Sequence, residues 1–147
     1  MTKAGLLQKT KGKPAPDSWT QIDTPHGGMR EDAPGRFHLP AASIDRLKAR
    51  GFSNEEIYSI VAPRRTLARR KELQQELTVA ESDRVLRLER IVEHANRVFG
   101  DPEKAQRWLR KKSRALEDVR PIDLLSSETG AHIVEQELHR INYGMFA

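Results

Sequence analysis

Apolar residues recur at intervals of three and four over most of the chain beyond residue 40, the spacing that gathers them on one face of a helix. In "AASIDRLKARG" Ile44 and Leu47 stand three apart, and Gly51 supplies a C-terminal stop. Ser53 and Glu56 form a capping box ahead of Ile57, Ile60 and Val61. The stretch "APRRTLARRKELQQEL" predicts a third helix, with Pro63 in its first turn and Leu67, Leu73 and Leu77 facing inward. A second capping box, Thr78 with Glu81, opens the longest stripe: Val85, Leu88, Val92, Ala95 and Phe99, ended by Gly100. Asp101 then fits an N-cap and Pro102 a first helical position, with Leu109 buried and Trp108 set between this helix and the last. After a charged loop and the short turn "PIDLL", Ala131, Val134, Leu138 and Ile141 predict a final helix from about Ser127 to Asn142.

No segment alternates as a strand does, so the predicted fold is all-α. A helix-turn-helix-like bundle is expected over residues 39–77, a connecting helix and possible dimer interface over 78–100, and a small helical domain over 101–147. Residues 1–38 contain Pro14, Pro16, Pro25 and Pro34 and keep no apolar period, which predicts a flexible or disordered arm.

Composition narrows the class. The 147 residues are 37% hydrophobic and 32% charged, enough for a core under a highly polar surface. The apolar runs are far shorter than the roughly 20 residues that cross a bilayer, and "MTKAGLLQKT" lacks the apolar block of a secretory signal, so no membrane and a cytoplasmic location are expected. The absence of cysteine excludes disulfides, thiolate nucleophiles and cysteine metal sites.

The net charge of +5 matters through its placement. Residues 37–77 carry eight basic and five acidic side chains, whereas residues 101–147 carry eight of each. Arg64, Arg65, Arg69, Arg70 and Lys71 crowd the third helix with no acid among them, and Thr66 stands between. Two short helices precede them, an order that resembles a helix-turn-helix, whose third element presents its first residues to the major groove. A basic face that is merely solvated explains the same residues, and Ala62-Pro63 stands where the usual turn glycine would be.

Other chemistry is poorly supported. The five histidines include no i, i+4 pair and have no cysteine beside them, so no metal is expected. Glu55-Glu56 and Glu117-Asp118 read as a cap and a loop, and no nucleophile elbow or phosphate loop occurs, so neither enzyme activity nor a cofactor is expected. The ending "HRINYGMFA" is unusual, because Tyr143, Met145 and Phe146 leave no polar tail. Either the protein's own last helices cover them or another molecule does.

Residues 98–147 resemble the C-terminal region of the Xre/ParS/MbcA antitoxins, partners of RES-domain toxins, and "ESDRVLRLERI" resembles that family's connecting helix. The pieces that carry the resemblance are Phe99-Gly100, Ala105 to Leu109, Ala115-Leu116, Pro121 to Leu125, Glu128 to Gly130 and Tyr143 to Ala147. Such antitoxins often have a glycine pair after the Ala-Leu, where this chain has Glu117-Asp118.

The resemblance implies an N-terminal half for operator DNA of the chain's own operon and a C-terminal half that covers the NAD pocket of a NAD-degrading toxin. On that implication the DNA residues are Arg64, Arg65, Thr66, Arg69, Arg70 and Lys71, and the toxin residues are Arg140, Asn142, Tyr143, Gly144, Met145, Phe146 and Ala147. Gly144 is expected to end the helix so that an apolar plug can enter the pocket. A homodimer and a larger toxin–antitoxin complex are expected, since a helix-turn-helix gains specificity from two half-sites. The alternative is a protein-interaction adaptor that does not bind DNA.

Overall fold

The computed structural model describes residues 30–33 and 36–146. The expected arm therefore lies outside the described residues except at its end, where strands β1 (Arg30–Ala33) and β2 (Arg36–His38) pair antiparallel. The sequence predicted no strand, and this short ribbon carries no alternating pattern that could have revealed one.

Six helices follow, and the all-α core agrees with the sequence. Helix α1 (Ser43–Ala49) ends where Gly51 takes φ +99° and turns the chain into α2 (Asn54–Ile60). The Ser53 box is present: Ser53 Oγ accepts the Glu56 amide at 3.2 Å, and Glu56 Oε2 accepts the Ser53 amide at 2.9 Å. After Val61, Ala62 and Pro63 comes α3 (Arg64–Glu72).

Helix α3 stops before the pattern suggests. Gln74 adopts φ +51°, its amide and that of Gln75 donate to the carbonyls of Lys71 and Arg70, and the chain leaves the helix in a Schellman turn. Leu73 consequently points outward, 53% exposed, contrary to expectation. Leu77 is buried through a different route, its amide donating to the Leu39 carbonyl at 2.8 Å.

Helix α4 (Val79–Phe99) starts at the Thr78 box and ends at Gly100, φ +65°. Its Val85, Leu88, Ile91, Val92 and Ala95 are wholly buried, because α1, α5 and α6 all pack against it. Helix α5 (Pro102–Arg110) has Asp101 accepting the Glu103 amide at 2.9 Å. It buries Ala105 and Leu109, while Trp108 is half-buried and meets Phe99 of α4 with ring centroids 5.7 Å apart.

Two short 3-10 turns, Arg114–Leu116 and Pro121–Leu124, lead to α6 (Glu128–Phe146). Between the turns Glu117 and Asp118 both lie in the left-handed region, at φ +56° and +60°. The acidic pair thus occupies a backbone made for glycine, at a cost of roughly 1–2 kcal/mol per residue. Glu117→Gly should therefore stabilise the protein by about 0.5–1 kcal/mol after glycine's extra unfolded-state entropy is subtracted. Urea unfolding reads this as a higher midpoint at unchanged slope; a lower midpoint counts against the account.

The start of α6 is held tightly. Ser127 Oγ accepts the Gly130 amide at 3.0 Å, and a Cβ built on Gly130 would fall 1.9 Å from the Leu124 carbonyl oxygen. From α4, Arg87 Nε donates to Glu128 at 2.9 Å, and Arg90 donates to Glu128 and Glu135 at 2.7 Å each. One hydrophobic cluster runs without a break from Leu39 to Leu138, with α4 through its middle.

Candidate functional site

Leu67, 5% exposed, fixes which side of α3 faces the core. At about 100° per residue, Arg65 and Arg69 each lie about 160° from Leu67 and about 40° from one another. Both are exposed, and with Thr66, Ala68 and Glu72 they line a single shallow depression. Arg64 is exposed on the shoulder of the helix, where it borders a second depression with Tyr58, Asp45, Lys48 and Lys71.

The remaining two cations are engaged by carboxylates. Arg70 is half-buried with its Nε 2.9 Å from Glu81 Oε2 and its Nη2 donating to Oε1 at 3.2 Å. Glu81 also closes the Thr78 box, so Arg70 ties α3 to the start of α4. Lys71 Nζ stands 3.2 Å from both carboxylate oxygens of Asp45 on α1, an exposed pair. The turn before α3 is held from α4, where Arg84 Nη1 donates to the Val61 carbonyl at 2.9 Å. The structure thus places Arg64, Arg65, Thr66 and Arg69 on a rigidly supported, accessible helix and gives Arg70 and Lys71 intramolecular partners.

At the opposite end, α6 does not stop at Gly144. It continues to Phe146, and Gly144 is not among the positive-φ residues. The expected helix break is therefore corrected: Tyr143, Gly144 and Met145 form the last helical turn, because a lone glycine near an end weakens a helix without obliging it to stop. Tyr143 is 75% and Met145 58% exposed, so neither folds back onto the core. Asn142 and Ile141 are half-buried, Arg140 is exposed beside Glu137, and Ala147 lies outside the described residues.

Sequence reasoning missed the contact that joins the two ends. Arg110, the last residue of α5, donates through Nε and Nη2 to both oxygens of Glu56 at 2.8 Å each. Its Nη2 also donates to the Gly51 carbonyl at 2.9 Å, and neighbouring Gln106 donates to the Arg50 carbonyl at 2.7 Å. Helix α5 is thereby fastened to the turn between α1 and α2. Glu56 serves both here and in the Ser53 box, a double role that spacing along the chain cannot show.

Other ionisable groups join α4 to α6. Hydrogen bonds from Arg90 and then Arg87 hold the Glu128 carboxyl below its ordinary pKa. His94 and His139 meet across α4 and α6 with ring centroids 4.6 Å apart; burial first, then the charges of His139 and Arg97, lower the His94 pKa. Among the described residues no group of three or more His, Cys, Asp and Glu could hold a metal ion, and no helix is long and apolar enough to cross a membrane.

Comparison with known proteins matches both ends. Residues 36–90 match the antitoxin Xre-like helix-turn-helix domain, and residues 94–144 match the antitoxin Xre/MbcA/ParS C-terminal toxin-binding domain. An antitoxin Xre of Yersinia enterocolitica is 31% identical over 151 residues, covering 99% of this chain and 94% of the relative. One from Photorhabdus laumondii is 32% identical over 110 residues, covering 73% and 74%. Another, from Pseudomonas putida, is 37% identical over 104 residues, covering 71% of this chain but only 65% of the relative's length.

Proposed function

The chain belongs to the Xre antitoxins, and from that membership we propose that it neutralises a NAD-degrading RES-domain toxin and represses its own operon. It acts by binding, with no catalytic step of its own. The observation that carries the reading is the pairing of two exposed surfaces on one core: a cationic α3 face, and an α6 end whose Tyr143 and Met145 no described residue covers.

On the toxin side, Arg140, Asn142, Tyr143, Gly144 and Met145, together with Phe146 and Ala147, are the proposed contacts. A helical turn bearing Tyr143 and Met145 suits a concave, largely apolar site, and blocking such a site against NAD requires no chemistry beyond exclusion. On the DNA side, Arg64, Arg65, Thr66 and Arg69 are the contacts from α3, while Arg70 and Lys71 hold that helix in place. A homodimer would present two such helices to two half-sites. Its interface draws little on the apolar face of α4, since that face is spent within the subunit and Ala80, Asp83, Arg90, Glu93 and Arg97 are what α4 exposes. Both proposed partners, the operator DNA of its own operon and a NAD-consuming enzyme, suit a cytoplasmic protein.

The test has two arms. Adding the chain to purified toxin should stop NAD consumption at a fixed stoichiometry. The chain should also shift its own promoter DNA, with affinity falling linearly in log salt as several phosphates are contacted. NAD consumption that persists under excess chain overturns the first half. A promoter that competes no better than unrelated DNA overturns the second and favours an adaptor.

A further inference from the structure

We propose that each operator half-site carries two guanines about two base-pair steps apart, read by Arg65 and Arg69; this rests on the DNA-binding reading above. The cations of α3 divide by what holds them. Arg70 is committed to Glu81 and Lys71 to Asp45, whereas Arg64, Arg65 and Arg69 have no carboxylate partner among the described residues. Of these three, Arg64 lies only about 60° from the core direction of Leu67, so it reaches sideways. Its natural target is a backbone phosphate at the groove's edge.

Arg65 and Arg69 point directly away from the core. Four residues of helix advance about 6 Å along the axis, close to two base-pair rises of about 3.4 Å. Ala68, on the same outer surface, is too small to hold the helix off the base edges, and Thr66 is half-buried to one side. Among the described residues of α3, nothing bulky keeps the two guanidinium groups from the groove floor. An arginine that meets base edges there does so best as a two-bond donor to O6 and N7 of guanine. Glu72 lies one turn further along the same stripe and faces the same depression, so the cationic surface ends there. The reading segment is therefore short, with one cation at each end of a single helical turn and a carboxylate beyond.

Both side chains are exposed, so their removal leaves the fold intact, and thermal unfolding of each variant checks this. The experiment selects binding sites from randomised duplexes with the full chain and then measures Arg65→Ala, Arg69→Ala and Arg64→Ala on the selected site and on a scrambled one. The expected consensus contains both guanines. Each of the first two variants should lose the preference at one guanine, keep it at the other, and bind the selected site roughly 5–150-fold more weakly. Replacing either guanine with its 7-deaza form should weaken the wild-type chain and leave the matching variant indifferent. Arg64→Ala should weaken both duplexes alike and reduce the salt slope by about 1.

A consensus without the guanine pair, or two variants that weaken selected and scrambled DNA equally, overturns the proposal and leaves DNA binding standing. Failure of the wild-type chain to select any sequence overturns the repressor reading with it.

Discussion

Replacing Gly130 with alanine should lower the melting temperature by roughly 4–8 °C, the shift that about 2 kcal/mol produces in a chain of this size. The added methyl would sit 1.9 Å from the Leu124 carbonyl oxygen and 2.8 Å from its carbon, both backbone atoms that no rotamer change can move. Opening the contact to an ordinary distance means shifting α6 away from the turn that precedes it, an overpacking strain of about 3 kcal/mol. Alanine's better helix propensity returns about 1 kcal/mol.

Helix α6 has little freedom to yield, because Ser127 caps it and Arg87 and Arg90 grip Glu128 and Glu135 from α4. Circular dichroism on heating measures the effect. An unchanged melting temperature would show that the Leu124 carbonyl swings aside at no cost.

Truncation after Asn142 should have the opposite profile: a melting temperature within about 2 °C of the full chain, and toxin inhibition weakened at least 100-fold. The small thermal effect follows from exposure, since Tyr143 and Met145 are 75% and 58% exposed and contribute little buried area. The large functional effect follows from concentration of binding energy in a few anchors, each worth about 2 kcal/mol or more when removed. Two such anchors amount to a loss of 100-fold or more, at about 1.4 kcal/mol per tenfold.

Promoter binding by the truncated chain should be unchanged. Gly144→Ala refines the result, because a Cβ there meets nothing within 4 Å in the free protein. Inhibition lost in that variant shows that the toxin approaches the helix closely at Gly144; inhibition retained shows that the contacts run through the side chains around it. Full inhibition by the truncated chain would remove the helix end from the mechanism altogether.

Local chemistry made much of this fold legible. Ser53, Thr78 and Asp101 cap helices as their spacing requires, Gly100 ends α4, and the stripes of α4 and α6 are buried where the period of three and four puts them, except at their last members, half-buried Phe99 and Ile141. Reading failed where an uncommon residue took a familiar role. Gln74 provides a left-handed stop that glycine normally marks, so α3 looked long enough to reach Leu77. Gly144 was the converse error, a glycine that stays inside its helix.

The sites divide in the same way. That α3 is basic is plain from five neighbouring cations, but which of them face solvent depends on Glu81 and Asp45, 11 and 26 residues away. Arg110 could not be sorted from the cations around it, such as Arg107 and Lys111, since Glu56 lies 54 residues earlier. The strain at Glu117 and Asp118 was foreshadowed only by comparison with a glycine pair, because nothing in an acidic dipeptide announces positive φ.

Helix α4 has a further consequence through the walls it lends to both ends of the molecule. Helix α1 of the bundle that carries α3 packs on α4, as do α5 and α6 from the other side of the chain, and the Arg110–Glu56 clasp closes them together. On the proposed function, a single proteolytic nick in α4 would therefore disarm both ends at once, so that the loss of protection and the start of fresh synthesis would coincide.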